Sequence, residues 1–432
     1  MSKYHHINSL IKLEQLLETR YEIPNRAVAR EAVRSESFPI IEGNEAKDAE
    51  SEKSQILSDS ASDSPFRAEF EKFIFQHPLR FTDYLLRQIK RSPAVAKQYL
   101  PDPRELDPVG LEKPLTGQIN TGVPGLERMY LDRVILMPTS QCFAYCRFCF
   151  RKNYSHDSRE PDYGNPQDTF EKALNYIRND ERIKEVLITG GDPLMFRDKV
   201  LELIKKLRTI PQLTGIRIGT RIFSSDPELI TEEWIRPFKK LNSTSPNLPA
   251  GRQAPISISS HLNHPDELTE ECMRALLLCT QNRIPLYNQT VLLKGINDDP
   301  KTLIDLFRKL RQLGVEPYRV YMADPLKGTQ YLRTSLDEFT QIKKYLRAYA
   351  SGRVVPSFVV DTRIGKVELG TDAEIVQRKK NTVWIKTAYT AGIFRSMDPN
   401  WEIPEYCKQA DDKSLIVEYE DSLPLSIKKK KG

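Results

Sequence analysis

The chain has 432 residues, with 65 lysine and arginine residues against 59 aspartate and glutamate residues, a net charge of +6. Its length allows roughly one large or two to three ordinary domains, and a hydrophobic content of 39% can fill their cores. No apolar run reaches the about 18 residues that span a bilayer, the start lacks a signal-peptide pattern, and the charge is mild, so we expect a cytoplasmic protein with neither membrane nor nucleic acid as partner.

The N-terminal part of the chain changes composition several times. Residues 7–20 have the pattern of a short amphipathic helix, within a predicted N-terminal helical segment at 1–42. Residues 43–65 are rich in Ser, Asp, Glu and Ala, which predicts a disordered linker. Residues 66–125 form a predicted helical lead-in, helical to about Arg91 and extended near its proline-rich end.

Beyond this lead-in, short β-rich runs alternate with amphipathic helices. The predicted strands lie at 134–137, 185–189, 215–219, 256–259, 286–293 and 317–322. Four helices between them carry apolar residues at i, i+3, i+4 and i+7, within 170–177, 200–207, 272–279 and 303–310. Strands that alternate with helices predict a parallel sheet, which is typical of an α/β barrel.

Two regions depart from this repeat. Residues 242–255 contain three prolines and no periodicity, which predicts a surface insertion between a helix near 227–240 and the next strand. Residues 351–432 form a predicted C-terminal extension, which begins with strand-like residues and ends in the basic tail Lys428–Lys431.

Three of the six cysteines, Cys142, Cys146 and Cys149, lie within eight residues directly after the first predicted barrel strand. Such a cluster in a long chain with few cysteines indicates a metal rather than disulfides. Three thiolates on one loop suit a [4Fe–4S] cluster whose fourth iron stays open to another ligand. Zinc is the competing metal, but a structural zinc site favours four ligands in CxxC pairs. Cys272 and Cys279 fall on an apolar helical face and are predicted core residues.

The residues CFAYCRFC at 142–149 resemble the cysteine loop of the radical S-adenosylmethionine (SAM) superfamily, in which the open iron binds SAM. The segment ITGGDPL at 188–194 ends the next predicted strand on the same face. In the superfamily, the corresponding segment contacts the amino group of SAM, which implies Gly190, Gly191 and Asp192 as SAM-binding residues. The two glycines also permit a close backbone approach to a ligand.

From Val123 to about Lys366, the chain resembles the lysine 2,3-aminomutase family in eight segments that occur in the same order. These segments are VPGLERMYLDRV, the cysteine loop, ITGGDPL, IRIGTR, SHLNHPDELT, NQTVLLKGIND, YMADPLKGTQYLRT and SGRVVPSFVVD. The resemblance implies a partial (β/α)6 barrel at 126–350, and it implies SAM and pyridoxal 5′-phosphate (PLP) as cofactors. In the family, a 5′-deoxyadenosyl radical takes a hydrogen from C3 of a PLP-bound amino acid, and the amino group moves from C2 to C3.

The resemblance also implies roles for residues around the cofactors. Lys366 matches the lysine that forms a Schiff base with PLP, which makes it the predicted catalytic residue. Tyr130 and Arg133 match residues near PLP. His261 and Gln289 match positions that face SAM.

Three further residues match family positions that hold the two ends of the substrate. Arg151 matches the arginine that pairs with the substrate carboxylate, and a guanidinium is suited to a bidentate clamp. Asp324 and Asp361 match the two aspartates that hold the ε-ammonium of lysine, whereas the related glutamate enzyme has lysine and asparagine there. Two carboxylates select a distal cation. The resemblance therefore implies conversion of L-lysine to L-β-lysine, with arginine as a further candidate substrate.

Two departures from the family affect these expectations. The segment before Lys366 is Thr362–Gly365, about two residues shorter than the family's glycine-rich loop. The clostridial-type enzymes carry zinc-binding cysteines near the C-terminus, whereas Cys407 is isolated here, so we expect no zinc. We expect a homo-oligomer and an electron donor such as flavodoxin or ferredoxin.

Other functions stay open at this point. They are an aminomutase acting on arginine or glutamate, an enzyme that serves elongation factor P modification, and a radical SAM enzyme without PLP. A non-enzymatic iron–sulfur or basic-tail binding protein would leave the Gly-Gly-Asp segment and the two aspartates without a role.

Overall fold

The computed structural model describes residues 4–17, 65–112, 115, 119–152, 166–243 and 254–422. The predicted linker up to residue 64, residues 244–253 of the predicted insertion and the basic tail lie outside these ranges.

The N-terminal layer has its own core. Its elements are β1 (Tyr4–Ile7), α1 (Leu10–Leu17), α2 (Pro65–Gln76), β2 (Leu79–Thr82), α3 (Asp83–Arg91) and α4 (Pro93–Tyr99). The helical prediction for 66–91 is wrong at β2, because these residues pair with β1 in an antiparallel two-stranded sheet. Apolar residues such as Leu10, Phe70 and Tyr84 form this core, which is separate from that of the barrel.

The centre of the described structure is a nine-stranded sheet. Its strands follow the chain in order and are β3 (Leu126–Arg128), β4 (Arg133–Thr139), β5 (Glu185–Gly190), β6 (Gly215–Thr220), β7 (Ile256–His261), β8 (Leu286–Leu292), β9 (Glu316–Met322), β10 (Ser357–Thr362) and β11 (Gly365–Val367). The strands β4 to β10 are parallel, and β3 and β11 are antiparallel at the two edges. The six predicted strands and the partial barrel are confirmed, and β10 extends the parallel sheet.

Helices connect the parallel strands and cover the outer face of the sheet. They are α5 (Pro166–Asn179), α6 (Arg197–Leu207), α7 (Ile222–Ser225), α8 (Glu232–Ser243), α9 (Glu270–Gln281), α10 (Pro300–Gln312) and α11 (Leu336–Tyr349). Their predicted apolar positions pack in the core, and Cys272 and Cys279 are fully buried there. The core prediction for these two cysteines is therefore confirmed.

A second sheet follows the barrel. It contains β12 (Ala373–Lys379), β13 (Thr382–Thr390), β14 (Cys407–Gln409) and β15 (Ser414–Glu420), with the helix α12 (Ala391–Met397) after β13. Its four strands are antiparallel in the order β12-β13-β15-β14, and its core is continuous with that of the barrel. This sheet brings Tyr389 next to the β10–β11 hairpin. None of the helices in the described ranges is long and apolar enough to cross a membrane.

Candidate active site at the carboxyl edge of the sheet

The candidate site lies where the parallel strands end. The strand ends and the loops after them carry, in sheet order, Cys142, Gly190, Arg221, His261, Asp324 and Asp361, whereas Gln289 lies in the middle of its strand, β8. The loops beyond the carboxyl ends of barrel strands are the usual place for catalytic residues. The fold therefore brings together residues that are far apart in the sequence.

A buried group of charged side chains fixes the cysteine loop. Arg147 donates to both carboxylate oxygens of Glu105 over distances of 2.7 to 3.1 Å, and Lys152 forms an ion pair with the same carboxylate. All three side chains are at most 2% exposed. Burial alone would raise the pKa of Glu105, but Arg147 and Lys152 outweigh burial and lower it. An ionised Glu105 thus ties the C-terminal part of the loop to the short helix Pro103–Leu106, which lies between α4 and the barrel.

The three loop cysteines, Cys142, Cys146 and Cys149, are free and half-buried. Burial raises the pKa of all three, to about 12 at Cys149, where the charge of Cys146 adds to the effect. Buried thiols of this kind ionise readily only with a cation to take up the charge. Within the described ranges, no three His, Cys, Asp or Glu side chains converge to hold a single metal ion. A [4Fe–4S] cluster instead takes one thiolate on each iron, which suits the spacing of this loop.

Gly190 and Gly191 bring the end of β5 against the cysteine loop. Gly190 has a φ of +109°, and a Cβ there would lie 2.7 Å from the Thr139 carbonyl oxygen. A Cβ on Gly191 would overlap the backbone of Gln141. These glycines therefore allow the backbone to approach the cysteine loop itself. There is no room for a side chain at either position.

Asp192 lies beneath this contact and is 4% exposed. Its carboxylate accepts hydrogen bonds from the Thr220 hydroxyl and the Arg221 and Leu194 backbone N–H groups, at 2.8 to 3.1 Å. Burial raises the pKa of Asp192 to about 6. In this structure the carboxylate orders the loops after β5 and β6, and the SAM-binding role stays a prediction.

His261, at the end of β7, lies directly opposite Gln289, which is in the middle of β8. The His261 ring meets Phe148 of the cysteine loop edge-on, with 5.6 Å between ring centroids. Burial, assisted by Arg221, lowers the pKa of His261 well below its usual value, so the ring is neutral. Its Nε2 is buried without a hydrogen-bond partner among the described residues. A neutral nitrogen without a partner beside the loop suits contact with a bound ligand.

Lys366 lies at the other end of the site, in the β10–β11 hairpin. Because Thr362 and Gly365 pair across the turn, Asp361 and Lys366 are the next opposed residues. Gly365 has a φ of +140°, and a Cβ there would lie 2.7 Å from the Tyr389 ring. The short turn thus puts the lysine and the carboxylate on one face of the hairpin, where they form an ion pair.

This ion pair keeps Lys366 charged. Burial alone would lower its pKa, but the charge of Asp361 outweighs burial and raises it. An amine must lose its proton before it can form an imine. Lys366 is therefore observed in a form that has to give up a proton and its Asp361 contact before reacting with an aldehyde.

Two carboxylates, Asp324 and Asp361, share this end of the site. Burial, together with the charge of Asp361, raises the pKa of Asp324 to about 7, although Lys366, Arg333 and Arg151 oppose the rise. The Oδ1 atom of Asp361 is buried and accepts no hydrogen bond from any described residue. An additional ammonium group here would satisfy that oxygen and stabilise the ionised form of Asp324.

Tyr130 and Arg133 are brought together with Lys366, as the family resemblance implies. The Tyr130 hydroxyl accepts a hydrogen bond from the Lys366 backbone N–H at 3.0 Å, and Tyr389 donates to the Lys366 carbonyl at 2.9 Å. The Arg133 guanidinium lies 3.8 Å from the centre of the Tyr130 ring. Two tyrosines thus hold the lysine backbone from both sides, and a cation lies next to one of them.

Arg151 is already paired within the protein. Its guanidinium makes a bidentate contact with Glu127 on β3, at 3.1 and 2.8 Å. The arginine and glutamate side chains are 9% and 20% exposed. The predicted clamp for a substrate carboxylate therefore holds a carboxylate of the chain itself, through a bidentate contact.

Comparison with known proteins agrees with this geometry. The family model described as the Radical SAM superfamily matches residues 136–307. The chain is 33% identical to the L-lysine 2,3-aminomutase of Methanococcus maripaludis over 308 residues, which cover 69% of this chain and 67% of that protein. The chain belongs to the lysine 2,3-aminomutase family of radical SAM proteins.

Two further relatives are named for different substrates, lysine and glutamate. The L-lysine 2,3-aminomutase of Clostridium subterminale is 38% identical over 62% of this chain and 61% of its own length. The glutamate 2,3-aminomutase of Clostridioides difficile is 34% identical over 60% of this chain and 57% of its own length. The chain spans about three fifths of the length of these two relatives. Membership of the radical SAM superfamily implies a [4Fe–4S] cluster and SAM, and the three loop cysteines fit the cluster.

Four residues of this family member emerge only from the structure, namely Arg221, Glu105, Glu127 and Tyr389. Arg221 ends the segment IRIGTR and Glu127 lies within VPGLERMYLDRV, so both stand in segments that already carry the family resemblance. No sequence pattern marks Glu105, because its partner Arg147 lies 42 positions away. Tyr389 comes from a sheet that the strand and helix repeat does not include.

Proposed function

We propose that the chain is a radical SAM, PLP-dependent 2,3-aminomutase that converts L-lysine to L-β-lysine. The observation that carries the proposal is the pair Asp324 and Asp361, with one oxygen still lacking a partner. Arg151 lies within electrostatic range of Asp324 and supplies the opposite charge. A molecule with a carboxylate at one end and an ammonium group at the other matches this distribution.

The chain's own residues position such a substrate. When bound, the cluster, SAM and PLP supply hydrogen abstraction at C3 and the shift of the amino group from C2 to C3. Arg151 clamps the α-carboxylate in place of Glu127, and Asp324 and Asp361 hold the ε-ammonium group. Gripping both ends fixes the carbons between them, which lowers the entropic part of the barrier.

Lys366 would hold PLP, with Tyr130 and Arg133 beside it. The proton that Lys366 must lose has an acceptor in contact, since Asp361 already accepts its hydrogen bond. Tyr130 and Tyr389 keep the lysine backbone in place while the side chain changes partner.

The two aspartates favour lysine over glutamate as substrate. A distal carboxylate would come close to two protein carboxylates in a largely buried place, and this like-charge contact is unfavourable. Arginine has a distal cation and is the second candidate within this class. Glycine, tyrosine and histidine positions around the cofactors do not distinguish between lysine and arginine.

A radical SAM enzyme without PLP is the alternative that a specific observation favours. Asp361 pairs with Lys366 and raises its pKa, so the side chain is charged and occupied. In that alternative the Lys366–Asp361 pair is a permanent part of the hairpin and takes no part in the reaction.

The proposal also includes partners and organisation. A low-potential donor such as flavodoxin or ferredoxin would supply the electron that SAM cleavage consumes. We further propose a cytoplasmic homo-oligomer. Its chain would be organised as an N-terminal segment at 1–42, a linker at 43–65, a lead-in at 66–125, the barrel at 126–350 and a C-terminal extension at 351–432.

One anaerobic experiment tests the activity. The full chain is reconstituted with iron and sulfide, PLP, SAM and dithionite are added, and lysine, arginine and glutamate are each supplied. We expect β-lysine from lysine and little turnover of glutamate. Turnover of glutamate alone would contradict the argument from the two aspartates.

The absorbance of bound PLP tests the role of Lys366. We expect Lys366→Ala to lose the Schiff-base band. Lys343→Ala is the matched control, because Lys343 is also half-buried and paired with a carboxylate, Glu368. An unchanged band in Lys366→Ala would favour the enzyme without PLP at this lysine.

A further inference from the structure

Arg221 connects the end of β6 to the middle cysteine of the loop. Its Nη1 atom donates to the Cys146 Sγ atom at 3.0 Å, and the Arg221 side chain is 12% exposed. A guanidinium keeps its positive charge at any ordinary pH. A fixed cation therefore lies against one of the three sulfurs proposed to ligate the cluster.

The guanidinium is held on its other edge by two acceptors. Its Nη2 atom donates to Glu267 at 2.6 Å and to Gln98 at 3.1 Å. The Tyr99 and Phe148 rings lie beside it, with their centres 5.1 and 5.2 Å from its Cζ atom. These contacts come from the N-terminal layer, the loop after β7 and the cysteine loop, so the direction of Nη1 toward sulfur is fixed.

Glu267 neutralises Arg221 only in part. The second oxygen of this carboxylate accepts hydrogen bonds from the backbone N–H groups of Asn263 and His264, at 2.6 and 2.9 Å. These two donors share the negative charge of Glu267. Positive charge on Arg221 is thus left to act on the Cys146 sulfur.

Hydrogen bonds to ligand sulfurs and nearby charges tune the potential of iron–sulfur clusters. Reduction adds one electron to the cluster, so a cationic donor to a ligand sulfur stabilises the reduced form. We propose that Arg221 raises the reduction potential of the cluster through the Cys146 sulfur and that Glu267 opposes this effect. The inference rests on the proposed cluster at the three cysteines and is independent of the amino acid substrate.

The test is a redox titration of the reconstituted full chain without SAM, with dithionite as reductant and EPR of the reduced cluster as readout. We expect Arg221→Gln to lower the midpoint potential by at least about 59 mV, which is a tenfold change for a one-electron couple. We expect Glu267→Gln to raise the potential. Arg217→Gln is the control, since this buried arginine lies on β6, just before Arg221, but pairs with Glu185, and the cluster of this variant should keep the wild-type potential.

The opposite directions of the two expected shifts in potential distinguish an electrostatic role of Arg221 from a structural one. A variant that merely loosens the loop and admits water would shift both Arg221→Gln and Glu267→Gln in the same direction. Shifts in the same direction, or an Arg221→Gln potential equal to that of Arg217→Gln, would overturn the proposal. If Arg221→Gln takes up no iron, Arg221→Lys and Glu267→Gln decide in the same way, with a smaller drop expected for lysine.

The result also separates this inference from the proposed function. A wild-type chain that binds no iron and gives no EPR signal would remove the cluster itself. A wild-type signal with unchanged potentials in the variants would remove only the role of Arg221.

Discussion

The two ends of the candidate site have opposite electrostatic characters. At the cluster end, three thiols lie among cations, with Arg221 in contact with Cys146 and with Arg147 next to it in the loop. At the substrate end, two carboxylates surround one lysine, Lys366. The cluster end suits a group that gains negative charge, and the substrate end suits a positively charged group.

The two ends also differ in how completely the protein satisfies them. At the cluster end, the charged groups of Glu105 and Arg221 both have several partners within the chain, and only the uncharged Nε2 atom of His261 among the site residues described there lacks one. At the substrate end, Asp361 has an oxygen without a partner among the described residues, and Arg151 is occupied by Glu127. We infer that the cluster end is built in advance, whereas the substrate end changes partners when its ligands bind.

The largest expected effect is at the cluster end. Cys149→Ala removes one of three thiols, and we expect it to lose the cluster signal and SAM cleavage altogether, because the described residues offer no fourth cysteine on this loop to replace it. Iron content and EPR of the reduced protein measure this outcome. Cys279→Ala, in the core, should keep its iron, and retention of a full cluster in Cys149→Ala would contradict the assignment.

The next largest expected effect tests whether the carboxylate of Asp361 binds the substrate cation. Asp361→Asn should raise the KM for lysine by roughly 10-fold to 100-fold, since a hydrogen bond to a charged group contributes about 1.5 to 3 kcal/mol. Steady-state kinetics with lysine measure the change, and Asp337→Asn, an exposed carboxylate paired with Arg378, is the control. An unchanged KM would place the substrate cation elsewhere.

The pKa of Asp324 predicts a dependence on pH. Because this pKa is about 7, only about one-tenth of Asp324 is ionised at pH 6, so lysine should bind about tenfold more weakly there than at pH 8. Asp324→Asn should remove this dependence, and binding measured across this pH range tests it. The same shift means that only the folded chain keeps the proton between about pH 4 and 7, so the free energy of unfolding should fall as the pH rises through that window.

The smallest expected effect concerns the pair Arg151 and Glu127. If Glu127 competes with the substrate carboxylate, Glu127→Gln should lower the KM for lysine by roughly threefold to tenfold, or about 1 kcal/mol. Glu171→Gln removes an exposed ion pair with Lys206 and should leave the KM unchanged. A higher KM in Glu127→Gln would instead show that Glu127 positions the arginine for binding.

The sequence predicts the cluster end better than the substrate end, and the reason is the distance between partners. Cys142, Cys146 and Cys149 are close along the chain, so their spacing alone indicates a metal site. The alternating strands and helices likewise fix the order of the parallel sheet, since each unit is a local pattern. The strand β2 escaped prediction because its partner β1 lies more than 70 residues earlier.

At the substrate end, the decisive contacts are between residues that no pattern connects. The sequence shows that the turn before Lys366 is short, but only the hairpin register shows that shortening places the lysine opposite Asp361. The pairing of Arg151 with Glu127 depends on β3 lying antiparallel at the edge of the sheet. Charged side chains at such positions are equally compatible with an exposed surface until the topology is known.

The buried Glu105 has a consequence for how the protein matures. Its contacts with Arg147 and Lys152 require the helix Pro103–Leu106 to lie against the cysteine loop, so we infer that the loop lacks this support in a chain that is still folding. We expect the cluster to be inserted late, after this contact has formed rather than during synthesis of the barrel. The buried carboxylate would in this way make cofactor loading depend on prior folding.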